Sequence, residues 1–63
     1  MNLVEVLQKA INNEEEAARN YREMASQADD PETRLMLEQI AREEESHFKR
    51  LSERLKAIKL FND

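Results

Sequence analysis

The chain has no cysteine, no glycine and no tryptophan, and its one proline is Pro31. Without cysteine there are no disulfides, thiolate metal sites, iron–sulfur clusters or thiol nucleophiles, so any metal must be bound through nitrogen and oxygen. No apolar run approaches the ~20 residues of a membrane span, and no signal-peptide pattern opens the chain. A net charge of -4 argues against nucleic acid or an acidic membrane as partner. The default expectation is a cytoplasmic protein.

The residues that are present favour helix. Glu, Lys, Arg, Ala and Leu dominate, and apolar residues recur regularly despite a charged fraction of 38%. With 63 residues the chain is one domain at most. Below roughly 70–80 residues a single core rarely supplies enough stability by itself. We therefore expect metal binding, association with another chain, or both.

The segment Asp29-Asp30-Pro31 divides the chain into two helices. Proline suits the first helical position, the Asp before it can cap the free N–H groups, and the residue before proline is held out of the helical region. At the other end, Asn2 and Glu5 form a weak capping box. The fold class predicted is all-α: an antiparallel hairpin with helix 1 at about residues 3–28, a turn at 29–30 and helix 2 at about 31–60.

Each helix carries an apolar stripe with steps of three and four residues, as in bundled helices. The stripes consist of Leu3, Leu7, Ala10, Ala17, Tyr21, Met24 and Ala28 in helix 1, and of Leu37, Ile40, Leu51, Leu55 and Ile58 in helix 2. Three positions in these series are not apolar: Glu14, Glu44 and His47. Counting from the turn at about 1.5 Å per residue, Glu14 lies roughly 21 Å along its helix, and Glu44 and His47 roughly 20 and 24 Å along theirs. All three are therefore expected at one level, facing inward.

Carboxylate and imidazole groups at this spacing indicate a metal site. Glu44 and His47 are three residues apart and share a helix face, and Glu14 adds a third ligand. Three ligands are too few for an iron ion held mainly by protein. Two copies of the hairpin supply four carboxylates and two imidazoles. The four negative charges of the carboxylates balance the four positive charges of two Fe(II) ions. Oxygen-rich ligation with one imidazole per metal favours iron or manganese, with zinc as a competitor.

The two ligand helices resemble those of ferritin-like di-iron carboxylate proteins, closest to the rubrerythrin branch. The motifs that carry the resemblance are Glu14-x-x-Ala17-x-x-x-Tyr21 and Ala41-x-x-Glu44-x-x-His47-x-x-x-Leu51. The family takes a Glu from each of two helices and Glu-x-x-His from each of the other two. By this resemblance Glu14 and His47 would be terminal ligands, Glu44 would bridge two irons, and Tyr21 would hydrogen-bond a ligand carboxylate.

The chain also departs from the family pattern. Typical members carry four helices in one chain, so this hairpin would dimerise into a four-helix bundle. Rubrerythrins also carry a cysteine-rich rubredoxin module, and a chain without cysteine would need an external electron donor to act as a peroxidase. Encapsulated ferritins are similar in completing the site between subunits, which adds a higher oligomer and a location inside a protein shell as alternatives.

The resemblance predicts Fe(II) oxidation, or reduction of O2 or peroxide, at a di-iron site shared between two chains. No side chain beyond the metal ligands is required as a catalytic group. Two alternatives stay open at this point. One is a metal-free hairpin used for dimerisation or partner binding, since charge runs such as Glu14-Glu15-Glu16 usually form a solvated face. The other is iron binding or storage within a larger assembly.

Overall fold

The computed structural model describes residues 2–61 as two helices, α1 at Leu3–Gln27 and α2 at Pro31–Phe61. The helices pack against each other as a hairpin 49 Å long, and the described residues contain no strand. Helix α1 ends one residue before the expected position and α2 continues one residue beyond it. The four-helix bundle formed by two copies stays a prediction.

Side chains cap both helix starts. The Asn2 side-chain oxygen accepts a hydrogen bond of 2.8 Å from the Glu5 N–H group. Asp30 accepts bonds from both the Thr33 N–H group, at 2.9 Å, and the Thr33 hydroxyl, at 2.6 Å. The bonds from the two backbone N–H groups satisfy donors that have no partner within their helices. The prediction that Asp30 caps the second helix is therefore confirmed.

The turn is tied together by Arg34. Helix α1 ends in extended backbone at Ala28, without a left-handed residue, and the Ala28 N–H group donates to the Ala25 carbonyl at 3.2 Å. Arg34 Nε donates to the Ala25 carbonyl at 3.2 Å, and its terminal nitrogen donates to the Ser26 carbonyl at 3.4 Å. One guanidinium group from α2 therefore closes the end of α1 and fixes the two helices together at the turn.

The interface between the helices is narrow and built largely from small side chains. Its buried members are Ile11, Ala18 and Ala25 in α1 and Ala41, Leu55 and Ile58 in α2. Alanine at three of six positions lets the two backbones approach closely. The interface also buries little apolar surface, because an alanine side chain is a single methyl group. The hairpin's own core is therefore thin.

The apolar stripe predicted for α1 is only partly covered within one chain. Leu3 and Met24 are 56% and 42% exposed, so their assignment to the core was wrong for the single hairpin. Sequence reasoning missed Ile11, Ala18 and Ala25, which form the buried line instead. The physical reason is that the stripe lies beside this line, at the edge of the hairpin interface. Most of its other members are half-buried there.

No helix within residues 2–61 combines the length and apolar character needed to cross a membrane.

Candidate metal centre

Glu14, Glu44 and His47 meet across the hairpin. One ligand atom from each lies within 4.8 Å of the other two. His47 Nδ1 is 3.3 Å from Glu14 Oε2 and 3.5 Å from Glu44 Oε1. The three residues therefore lie at one level along the hairpin, as the sequence predicts. The matching distances from the turn bring Glu14 on α1 opposite the pair on α2.

The centre is partly shielded and opens to one side. The side chains of Glu14 and Glu44 are 25% and 21% exposed, whereas His47 is 47% exposed. A groove of about 470 Å³ lies against it, lined by Glu14, His47, Arg50, Leu51 and Arg54. We call this side of the hairpin, which carries Glu14, His47 and Leu51, the open face. Space for further ligands therefore exists on this side.

The two carboxyl groups favour a proton between them. A hydrogen bond with Glu14 raises the pKa of Glu44, and desolvation and the negative charge of Glu14 raise it further. His47 acts in the opposite direction, since its charge lowers the pKa of Glu44. Two carboxylates brought together without a cation repel each other, and a proton relieves that repulsion. A divalent cation bound between the two carboxylates would relieve the same repulsion, and it would neutralise more charge than one proton does.

The donor set matches the chemistry of a divalent transition metal. It provides two carboxylates and one imidazole in a partly desolvated place, which is the mixture that iron, manganese and zinc accept. A single hairpin gives only three protein ligands. The residues therefore fit a metal site that needs further donors from solvent or from another chain.

Tyr21 lies on α1 two turns beyond Glu14. Its side chain is half-buried, and within the part of the chain described its hydroxyl makes no hydrogen bond. A separation of seven residues is about 10 Å along the helix, which is too far to reach Glu14 of the same chain. The expected hydrogen bond from Tyr21 to a ligand carboxylate stays a prediction.

A second polar pair joins the helices at the edge away from the open face. Arg22 Nε donates to Glu45 Oε2 at 3.1 Å, and its terminal nitrogen bonds the other carboxylate oxygen. This fork raises the pKa of Arg22, mainly through the hydrogen bond to Glu45. Sequence reasoning missed the pair, because nothing local selects Glu45 from the run Glu43-Glu44-Glu45. The pair leaves Glu44 as the member of that run that reaches Glu14.

The sequence matches the model of a known protein family. The family model described as Rubrerythrin matches residues 5–63, which is nearly the whole chain and includes all three candidate ligands. The chain belongs to the rubrerythrin family. Rubrerythrin-family proteins typically bind iron, and the group formed by Glu14, Glu44 and His47 is consistent with iron binding. The predicted resemblance is therefore confirmed.

This rubrerythrin-family chain also has a relative in an archaeon. An uncharacterised protein of Archaeoglobus fulgidus is 45% identical over 56 residues, covering 89% of this chain and 87% of the relative. The similarity therefore extends over most of both chains. No solved structure was found to match this member of the family.

Proposed function

We propose that this rubrerythrin-family chain forms a di-iron site between two copies, at which Fe(II) is oxidised or O2 or peroxide is reduced. The observation that carries the proposal is the meeting of Glu14, Glu44 and His47, with ligand atoms within 4.8 Å of one another. These residues are also the ones that the family motifs select. Two copies would contribute four carboxylates and two imidazoles to two iron ions.

The chain's own groups prepare the site for a cation. Without metal, Glu44 holds its proton up to a higher pH than an isolated glutamate does, because Glu14 lies beside it. Binding requires that this proton leave and that His47 offer a neutral ring nitrogen, so metal uptake and proton release are coupled. Iron, when bound, supplies the electron-transfer chemistry with O2 or peroxide, which no side chain here could provide. Peroxide turnover would draw electrons from an external donor, because the 63 residues contain no cysteine for a rubredoxin-type centre.

The shape of one hairpin supports the need for a second copy. Its radius of gyration is 14.6 Å, whereas a compact chain of this length would have about 10.6 Å. Its accessible surface is 5015 Å², against about 4,200 Å² for a compact monomer of this mass. The excess of accessible surface is close to the ~800 Å² that each partner buries in a standard protein interface.

Apolar side chains on this extended surface also support association. Leu3 and Met24, members of the stripe that carries Glu14, stay exposed in the single chain. Covering this stripe with a second hairpin would bury these residues and bring two half-sites together. The open face is therefore the surface on which we place the second copy.

The test is anaerobic loading with Fe(II) followed by exposure to air or peroxide, monitored by ultraviolet absorption and iron analysis. We expect two irons per two chains and oxidation faster than for free Fe(II). Glu44→Gln and His47→Ala should both abolish stoichiometric binding. Glu45→Gln is the matched control, since it changes the adjacent carboxylate, which faces Arg22 instead. A His47→Ala chain that oxidises iron as fast as the parent would overturn the proposal.

A further inference from the structure

Two arginine side chains line the groove beside the candidate metal centre. Arg50 and Arg54 share its walls with Glu14, His47 and Leu51. Arg50 follows His47 by three residues and Arg54 follows Arg50 by four, so the three side chains lie on one face of α2. Both arginines are exposed. The groove therefore places two guanidinium groups next to the carboxylate and imidazole of the candidate ligands.

The two guanidinium groups have no acidic partner in the described part of the chain. Within residues 2–61 neither Arg50 nor Arg54 makes an ion pair or a side-chain hydrogen bond. Arg22 and Arg34, by contrast, are held by a carboxylate and by two carbonyl groups. Two like charges four residues apart on a helix repel each other. An anion bound between Arg50 and Arg54 would remove that repulsion.

The size and charge of the groove suit a small oxyanion. Its volume of about 470 Å³ lies within the range of small-molecule sites. With His47 neutral, the two guanidinium groups outnumber the single carboxylate of Glu14, which leaves the lining residues with a net positive charge. The planar fork of an arginine matches the geometry of phosphate and carboxylate oxygens and can bind two of them at once.

We infer that Arg50 and Arg54 bind a small oxyanion, of the class of inorganic phosphate, on the open side of the metal centre. Glu14 lies in the same groove, so its negative charge opposes the anion until a cation neutralises it. The inference therefore has two parts. The arginine pair binds the anion by itself, and a metal held by Glu14, Glu44 and His47 makes that binding tighter. The second part rests on the metal centre proposed above.

The anion would lie toward the end of the hairpin where the helix termini meet. Arg54 is seven residues beyond His47, about 10 Å along α2, and Phe61 ends the helix the same distance further on. An anion can therefore approach the arginines from this end when a second copy lies on the open face. In the competing arrangement, carboxylates of the second copy would occupy the two guanidinium groups, and phosphate would then not bind.

Titration of the metal-free protein with inorganic phosphate tests the first part. Calorimetry at constant ionic strength, with chloride as the background anion, should show saturable binding. Arg50→Gln and Arg54→Gln should each weaken it about tenfold, because each removes charge-assisted hydrogen bonds. Arg50→Lys should retain part of the affinity, since it keeps the charge but loses the fork. Arg42→Gln is the matched control, because Arg42 is exposed on the same helix and does not line this groove.

Mn(II) tests the second part without any redox reaction. Phosphate should bind the Mn(II)-loaded protein about 5–150-fold more tightly than the metal-free protein, and phosphate should raise the affinity for Mn(II) by the same factor. The paramagnetic ion should also broaden the phosphorus NMR signal of the bound phosphate. The double variant Arg50→Gln, Arg54→Gln should bind as much Mn(II) as the parent and lose most of this broadening. His47→Ala should lose the coupling and keep phosphate binding by the metal-free chain.

The outcomes separate this inference from the proposed function. Absence of saturable phosphate binding overturns the inference, and so does an equal phosphate affinity of the parent and the double variant. An equal affinity with and without bound Mn(II) overturns the coupling. A chain that binds phosphate through the arginines but takes up no metal leaves the anion site standing and removes the function. A chain that oxidises iron and binds no phosphate does the reverse.

Discussion

His47 Nδ1 lies 3.3 Å from Glu14 Oε2, although the two residues are 33 positions apart in the sequence. Glu44 approaches the same imidazole nitrogen at 3.5 Å from one turn earlier on the same helix. The ring therefore stands between two carboxyl groups, one from each helix. The contact between the two carboxyl groups raises the pKa of Glu44, and the predictions about the centre start from that point.

Divalent metal should stabilise the protein. Fe(II), Mn(II) or Zn(II) at a hundred times its dissociation constant would raise the free energy of unfolding by about 2.7 kcal/mol. Calorimetry in two buffers of different ionisation enthalpy should detect more proton release on binding as pH falls, since the raised pKa of Glu44 leaves more of it protonated before binding. His47→Ala should lose most of the shift in melting temperature. A metal-dependent shift equal to that of the parent would contradict the ligand assignment.

Glu44 should make the metal-free protein less stable as pH rises. Its pKa is raised in the folded state, so the folded chain holds more protons than the unfolded chain above the ordinary glutamate pKa. The free energy of unfolding therefore falls as pH increases through the interval between the unfolded and folded pKa values. Glu44→Gln should remove this dependence and leave the metal-free protein more stable than the parent at pH 7.

Chemical denaturation at several pH values checks this prediction. The stabilising effect of Glu44→Gln should disappear at a pH below the unfolded glutamate pKa, where the parent is protonated in both states. Glu45→Gln serves as the control for removing one negative charge from the same helix. An equal pH response in the two variants would show that net charge, not the Glu14–Glu44 contact, is responsible.

Asp30 should contribute stability with the opposite pH response. The Thr33 hydroxyl and N–H group lower the pKa of Asp30 through hydrogen bonds to its carboxylate. Its contribution is therefore full above the unfolded aspartate pKa and is lost as pH falls through the lower folded value. Asp30→Ala should lower the melting temperature at pH 7, whereas Asp30→Asn should retain most of the cap. Thermal melts followed by circular dichroism at pH 7 and pH 2.5 measure both; the difference between parent and Asp30→Asn should shrink at the lower pH.

Arg34 should contribute more to the free energy of unfolding than an ordinary surface arginine does. Replacing it by alanine removes two hydrogen bonds to the carbonyl groups that end α1. We expect a loss of about 1 kcal/mol in the free energy of unfolding, because the site is only partly buried and water can replace part of the interaction. Arg42→Ala, an exposed arginine on the same helix, is the control and should change stability far less. Urea titration of the two variants decides the comparison.

Ala41 should tolerate no larger side chain. It is fully buried where the two helices approach closely. Ala41→Leu should destabilise the hairpin by about 1–3 kcal/mol, because the added methylene groups force the helices apart. It should also weaken metal binding, since Glu44 lies one turn away. Gln39→Leu places the same apolar side chain at an exposed position and should leave both properties nearly unchanged.

The sequence contains strong local signals for the helix limits and for the ligand set. Asp30 and Pro31 act through neighbouring backbone, so the cap and the turn follow without knowledge of the tertiary structure. Glu14, Glu44 and His47 interrupt regular apolar series at equal distances from the turn. That combination depends only on helix geometry, which is the same in every protein.

The buried line of α1 could not be chosen from the sequence in the same way. Ile11, Ala18 and Ala25 lie next to the stripe of Leu7, Glu14 and Tyr21 on the helix surface. Both lines are compatible with a packed helix, and the periodic pattern does not say which one faces α2. Small residues add to the ambiguity, because alanine suits both a close helix contact and a solvated surface.

The contacts made by long charged side chains could not be predicted from the sequence either. Arg22 and Arg34 make polar contacts between the helices, but each could have reached several carboxylates or carbonyl groups. Their choice depends on the rotation of one helix against the other. That rotation is fixed by the packing of Ala18, Ala25 and Ala41, which the periodic pattern did not specify.

The position of Glu14 and His47 on the open face, beside Glu44, has a genetic consequence. If each active centre takes residues from two identical chains, every substitution at Glu14, Glu44 or His47 enters the centre twice. A cell that makes equal amounts of a normal and a His47→Ala chain would assemble only about one quarter of its dimers from two normal copies. The defective allele would therefore act as a dominant negative, and the two metal positions could not diverge unless the gene were first duplicated.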